Sequence, residues 1–219
     1  MEKNYDYYFD YLRRGLCFEC IPVEFRDKKM CFEAIFNHRG YIKDIPKEVW
    51  DELTNEEKYD WCLNGVKSTS FNIQHIPSDI IDEKMCLIVA SGNYSYLLKH
   101  IHEHLKTYDV CLAGVSGALT LEHIPEKHKT PELCLKAVRN YGFALKHVPE
   151  SLKTIEICFE AINKNGNALG YVPDSVLYSE RGYDLCLIAV KQIGCALEYV
   201  PALYKTEHLC RIAMKEEQY

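Results

Sequence analysis

Apolar positions between Thr130 and Pro149 recur with a helical period. Counting from Cys134, Leu133, Cys134, Leu135, Ala137 and Val138 fall at −1, 0, +1, +3 and +4, with Glu132, Lys136 and Arg139 between or beside them. Steps of three and four gather these side chains on one broad face of an α-helix, whereas a strand would need period two. Thr130 stands four residues before the cysteine, where an N-cap hydroxyl accepts a free backbone N–H. Pro131 follows at the first helical position, where a missing N–H is harmless, and Glu132 suits the positive end of the helix dipole. Gly142, eight residues after the cysteine, predicts closure of the helix through a left-handed residue. A short second helix is expected over Phe143–Val148, with Ala144, Leu145 and Val148 on one side. Pro149 ends it.

The same pattern returns along the chain. Cysteines stand in register at Cys31, Cys62, Cys86, Cys111, Cys134, Cys158, Cys186 and Cys210, and prolines at Pro46, Pro77, Pro125, Pro149, Pro173 and Pro201. Gly166 and Gly194 repeat Gly142, and Thr107, Thr154, Thr206, Asp27 and Asp82 repeat the cap. In a first copy Tyr7 replaces the cysteine, with Gly15 and Pro22 in register, and after Cys86 the proline register holds Ile101. Neither helix of a copy is long enough to be stable alone, so each must bury its face on its neighbours. Self-similarity at a fixed period therefore predicts an all-α fold. It reads as an α-solenoid of about eight short helical-hairpin repeats plus a truncated terminal repeat. One repeat domain is expected over residues 1–219, with 1–25 as a capping repeat, 26–205 as repeats and 206–219 as a half repeat. The helix faces predict that Leu135→Asp or Leu187→Asp unfolds the protein, by turning a charge into the stack.

The pattern T-x-E-[LI]-C-[LF]-x-A-[VI]-x-x-x-G-x-A-L-x-x-V-P, seen at Thr130–Pro149 and Thr154–Pro173, resembles an uncharacterised α-helical repeat family. Its units are about 24 residues long and are common in giant DNA viruses of amoebae and in some bacteria. The resemblance implies a helical repeat fold and a viral source, and transfers no catalytic residue.

Composition narrows the function. The 219 residues are 47% hydrophobic with a net charge of −6, enough apolar content for a core and the wrong sign for a general nucleic-acid binder. No run approaches the roughly 20 apolar residues that span a bilayer. The charged N-terminus has no signal-peptide character, so a cytoplasmic location with reduced thiols is expected, in the host cytoplasm if the source is viral. The in-register cysteines come one per repeat, about a helix-packing distance apart, too far to share one zinc. They read as small buried hydrophobes.

Four groups of side chains outside the core pattern are candidates for function. His75, His123, His147, Tyr171 and Tyr199 all stand two residues before the proline and read as one recognition strip or as local helix-end partners. Lys136, Arg139, Glu160 and Asn163 lie on the polar side of the first helices. His100, His102 and His104 alternate around Glu103, a spacing that would converge on a metal only in extended structure. Cys17 and Cys20 form a C-x-x-C pair, on the registers of Ala144 and His147. Insertions at Asp51–Glu57 and Tyr178–Arg181 break the period. There is no phosphate loop, nucleophile elbow or metalloprotease motif. The sequence thus points to a non-enzymatic, cofactor-free, protein-binding scaffold. The alternatives are a nucleic-acid-binding helical repeat protein, and a metal- or thiol-dependent enzyme using His100, His102 and His104 or Cys17 and Cys20.

Overall fold

The computed structural model of the protein describes residues 4–15, 17–37, 40–92, 94–115 and 121–216, and all regular structure among them is helical. The chain divides into two compact units, Met1–Ala118 and Leu119–Tyr219. The N-terminal unit holds α1 (Tyr5–Arg13), α2 (Lys28–Phe36), α3 (Lys47–Glu52), α4 (Asn55–Ser68), α5 (Glu83–Ala90) and α6 (Tyr108–Gly114). There α1 contacts α2, α2 contacts α4, α4 contacts α5, and α5 contacts α6. The C-terminal unit holds α7 (Pro131–Asn140), α8 (Ile155–Lys164), α9 (Asp174–Leu177), α10 (Gly182–Gln192) and α11 (Glu207–Glu216). Within it α7 contacts α8, α8 contacts α10, and α10 contacts α11.

The helix starts follow local chemistry. The side chains of Asp27, Asp82, Thr107, Thr130, Thr154 and Thr206 each accept from the backbone N–H three residues on, at 2.7 to 3.4 Å. Thr54 and Glu57 form the reciprocal capping box that opens α4.

In α7, α8 and α10 the helix face buries the positions expected of it, with one exception. Leu133, Cys134, Ala137 and Val138 are buried in α7, and Ile157, Cys158, Ala161 and Ile162 in α8. Leu135 and Leu187 are only half-buried, while Leu133 and Leu185, two residues earlier, are fully enclosed. In these helices the face is a stripe at −1, 0, +3 and +4, narrower than the sequence pattern suggests, whereas in α4 the +1 residue, Leu63, is buried as well.

The second segment of five repeats is a six-residue 3₁₀ helix: Ser70–His75, Ser95–His100, Gly142–His147, Gly166–Tyr171 and Gly194–Tyr199. Such length is uncommon. At about 2.0 Å rise per residue, six residues span about 12 Å, against about 9 Å as α-helix. The wound-out segment thereby runs alongside more of its α-helix. A buried Ile or Val in extended conformation follows (Ile76, Ile101, Val148, Val172, Val200), then the proline, or His102 after Ile101. The sequence pattern missed a third element: after the proline come short 3₁₀ turns such as Glu150–Leu152. Lys153 then adopts φ −74°, ψ 66°, and Thr154 N–H donates to Leu152 O at 2.8 Å. That is an inverse γ-turn, and it delivers the chain to the next N-cap. In the two insertions the segment after the proline becomes α-helical instead, giving α3 and α9.

The turn explains the cysteine. Cys31, Cys111 and Cys158 thiols donate weakly to the carbonyls of Arg26, Lys106 and Lys153, five residues earlier, at 3.5 to 3.8 Å. A small hydrophobe with a weak S–H donor fits a buried site facing one spare carbonyl. Burial pushes the thiols of Cys31, Cys62, Cys86 and Cys158 up to about 12, and those of Cys134 and Cys186 up to about 11.

Of the repeated glycines, Gly15 follows α1 in the left-handed region, but Gly142, Gly166 and Gly194 do not end their helices there. Only Gly15 has a positive φ, 92°, among the described residues. The residue closing α7 is Tyr141, extended at φ −145°, ψ 103°. Gly142 and Gly166 serve close approach instead: a Cβ on Gly142 would sit 2.5 Å from Ala161 O, and one on Gly166 2.6 Å from Ala189 O. Each glycine lets a 3₁₀ helix press onto the backbone of the following α-helix.

Candidate functional site

The residue two before the proline is the last residue of its 3₁₀ helix in every copy: Cys20, Asp44, His75, His100, His123, His147, Tyr171 and Tyr199. His100 joins this set because the 3₁₀ helix Ser95–His100 and Ile101 match Gly142–His147 and Val148 element for element, with one extra residue after Cys86. His102, not Ile101, therefore holds the proline place, with φ −60°, ψ 144° against −54°, 139° at Pro149. The extended run needed to converge His100, His102 and His104 is absent. His100 ends one 3₁₀ helix and His104 lies within the next. The rings of His102 and His104 stack at 5.8 Å, and no group of three His, Cys, Asp or Glu among the described residues is placed to hold a metal ion.

In the C-terminal unit this position opens onto a groove of about 460 Å³ lined by Glu122, Tyr141, Phe143, Ala144, Lys146, His147 and Tyr171. Tyr141 is 56% exposed. Its ring leans on Phe143 at 5.7 Å, and Phe143 meets Tyr171 edge-on at 6.2 Å. The three rings form a wall drawn from two successive repeats. His147 Nε2 lies 4.0 Å from Glu122 Oε2. Partial burial holds its imidazole below the usual value, against the pull of Glu122. Tyr199 continues this position one repeat further, its ring against the bare Cα of Gly170, where a Cβ would approach Tyr199 Cδ1 to 2.9 Å. The structure thus brings His147 and Tyr171 to one groove and adds Tyr141, Phe143, Lys146 and Glu122, which the sequence pattern did not single out. Their signal was present: Tyr141 and Phe143 flank Gly142, where the chain turns outward.

The polar candidates on the first helices are partly engaged with one another. Arg139 donates to Glu160 at 2.8 Å, joining α7 to α8. The Asn163 carbonyl accepts from Gln192 Nε2 at 2.8 Å, while Gln192 Oε1 accepts from Gly166 N–H. Lys136 is half-buried.

The N-terminal unit carries a second crevice, of about 470 Å³, between α2 and α4. Phe32 is 44% exposed, stacks on Phe36 at 4.1 Å and meets the edge of Trp61 at 6.0 Å. Lys28 closes one side by pairing with Glu57 at 2.6 Å. The legible signal was Phe36, an aromatic at a register that holds Lys67, Arg139, Asn163 and Lys191 in other repeats.

A family model described as a domain of unknown function (DUF4116) matches the chain twice, over residues 109–153 and 130–177. The matched stretch contains every residue lining the groove around His147. No helix among the described residues is long and apolar enough to cross a membrane. No curated protein and no solved structure matches the chain.

Proposed function

We propose that the protein is a non-enzymatic, cytoplasmic scaffold that binds another protein, built as an α-solenoid of about eight repeats plus a truncated terminal one. The observation that carries this reading is the groove around His147. Three aromatic rings from successive repeats stand at the surface, rimmed by Glu122 and Lys146. Aromatic side chains are rigid and amphipathic, and they dominate the anchoring positions of protein interfaces. Charges at the rim steer and orient more than they bind. The recurrence of the same 3₁₀ ending in each copy supports a surface that a partner reads across several repeats. The resemblance to the virus-rich repeat family supports a host or defence protein as the target, in which case the cytoplasm is the host's.

The test is an affinity pull-down from lysate at low and moderate salt, run in parallel with wild type and with Tyr141→Ala/Tyr171→Ala. Both rings are at least partly exposed, so the variant should melt with wild type. One stoichiometric protein retained by wild type at moderate salt, and lost with the variant by tenfold or more in affinity, is the expected result. Retention by both would remove the groove from the proposal. Nucleic acid eluting with salt would replace the scaffold reading.

A further inference from the structure

The seven in-register cysteines from Cys31 to Cys186 are sealed in the core, whereas Cys17, Cys20 and Cys195 are exposed. Cys17 and Cys20 share one turn. Cys17 caps the 3₁₀ turn Phe18–Cys20 in an extended conformation, and Cys20 N–H donates to Cys17 O at 3.2 Å. A turn closed by an i to i+3 hydrogen bond holds its end Cα atoms within about 7 Å, and a disulfide spans about 4.4–6.8 Å.

This turn is fastened from outside both sulfurs. The Arg26 guanidinium donates to Ile21 O at 2.8 Å, Glu19 O at 3.1 Å and Asp44 O at 3.1 Å. It also covers the ring of Phe18, which is fully buried. Glu19 pairs with Lys43 at 3.4 Å. None of the contacts that hold the backbone uses a sulfur, so the turn keeps its shape whichever oxidation state the sulfurs adopt. Neither cysteine occupies the register whose thiol serves the core.

We propose that Cys17 and Cys20 form a reversible dithiol–disulfide site for exchange with low-molecular-weight disulfides of the glutathione type. One thiolate attacks the S–S bond of the oxidant, giving a mixed disulfide and releasing one reduced thiol. The second thiolate then attacks the protein sulfur of that mixed disulfide. The Cys17–Cys20 bond forms and the second small thiol leaves. Two electrons pass from the pair to the oxidant, whose S–S bond is broken, and the two protons end on the released thiols. Because the second attack is intramolecular and pre-oriented, ring closure outruns accumulation of the adduct. Cys195, exposed and with no second cysteine in Gly194–Tyr199, stops at the mixed disulfide and provides an internal reference.

The experiment equilibrates the full chain in glutathione buffers running from mainly reduced to mainly oxidised. Acid quenching, alkylation and mass mapping of the tryptic peptide spanning 15–26 follow. The expected result is a bridged peptide, two hydrogens lighter, formed at oxidised glutathione levels at least about tenfold below those that modify Cys195. Dithiothreitol should restore both thiols. Cys17→Ser should abolish the bridge and leave a lasting adduct on Cys20, while Cys195→Ser should leave the bridge intact. The proposal is overturned if wild type accumulates adducts on both cysteines without closing. It is equally overturned if both thiols stay free in the most oxidising buffer, or if closure needs as much oxidant as Cys195. Far-UV circular dichroism of Cys17→Ser separates loss of the bridge from loss of the fold.

Discussion

In the C-terminal unit Gly142 and Gly166 head their 3₁₀ helices and lie against the carbonyls of Ala161 and Ala189 in the next α-helix. In the N-terminal unit the same places hold Ser70 and Ser95, so the backbones are not brought to contact by a missing Cβ. A side chain takes over there. Asn72, fully buried, donates to Gly65 O at 2.9 Å and accepts from Ile42 N–H at 2.8 Å, tying its own repeat to the one before. The C-terminal unit has a counterpart in Gln192, which makes the same two kinds of bond to Gly166 and Asn163 but from the surface. One repeat rhythm is thus joined in two ways, by backbone contact or by an amide whose burial sets its worth.

The largest expected effect tests the shared core. Leu133 is fully buried while Leu135 is not. Leu133→Asp should cost more than about 4 kcal/mol and unfold the chain, whereas Leu135→Asp should leave a folded protein destabilised by about 1–2 kcal/mol. Urea titration followed by circular dichroism distinguishes them, and equal losses would mean the helix faces are misplaced.

Alkali should act next. Folded thiols of Cys31, Cys62, Cys86 and Cys158 titrate near 12 and those of Cys134 and Cys186 near 11, against 9.0 for an ordinary thiol. The folded state holds these protons more tightly. Stability is therefore intact below pH 9 and falls as pH rises through the folded values, by about 1.4 kcal/mol per pH unit for each thiol. Each unit holds three of these thiols, so both lose stability over this range. Both tryptophans, Trp50 and Trp61, belong to the N-terminal unit, so tryptophan fluorescence follows that unit while circular dichroism follows the whole. Stability unchanged between pH 9 and 11 would contradict the sealed core.

Gly166→Ala drives a methyl into a backbone oxygen and should cost about 1–3 kcal/mol. Ser95→Ala keeps a Cβ already accommodated and should cost about 1 kcal/mol. Equal thermal shifts would erase the contrast between the units. The smallest pair compares the amides. Asn72→Ala strands the buried Ile42 N–H, the Gly65 carbonyl keeping Thr69 N–H and Ser68 Oγ, for about 1–3 kcal/mol, while Gln192→Ala hands its partners to water, for about 0.5–1 kcal/mol. A larger loss at Gln192, measured by denaturant midpoint, would reverse that ranking.

Features settled within a few residues were legible in advance. Thr130, Thr154 and Asp82 cap their helices because the side-chain oxygen and the N–H it accepts lie three residues apart. The burial of Cys134 and Cys158 followed from apolar periodicity, which reports which side of a helix avoids water. The His/Tyr position was found by register, and its place at the end of each 3₁₀ helix follows from the proline two residues on. The groove built from it was only half legible, because Glu122 and Tyr171 meet His147 across repeats.

What the amino-acid sequence determined by itself, then, is where each helix starts, which face it buries, and the period at which the pattern returns. These rest on contacts between near neighbours in the chain. Only the tertiary structure decided the rest. Gly142 answers to a carbonyl 19 residues away and Gly166 to one 23 residues away, so close approach rather than a left-handed turn is their reason. His100 and His102 take the places of His147 and Pro149 because Leu97, Leu98 and Ile101 must all reach the core, and one inserted residue is absorbed before them. Register along the chain is a count, whereas register in space is set by which side chains can be buried together.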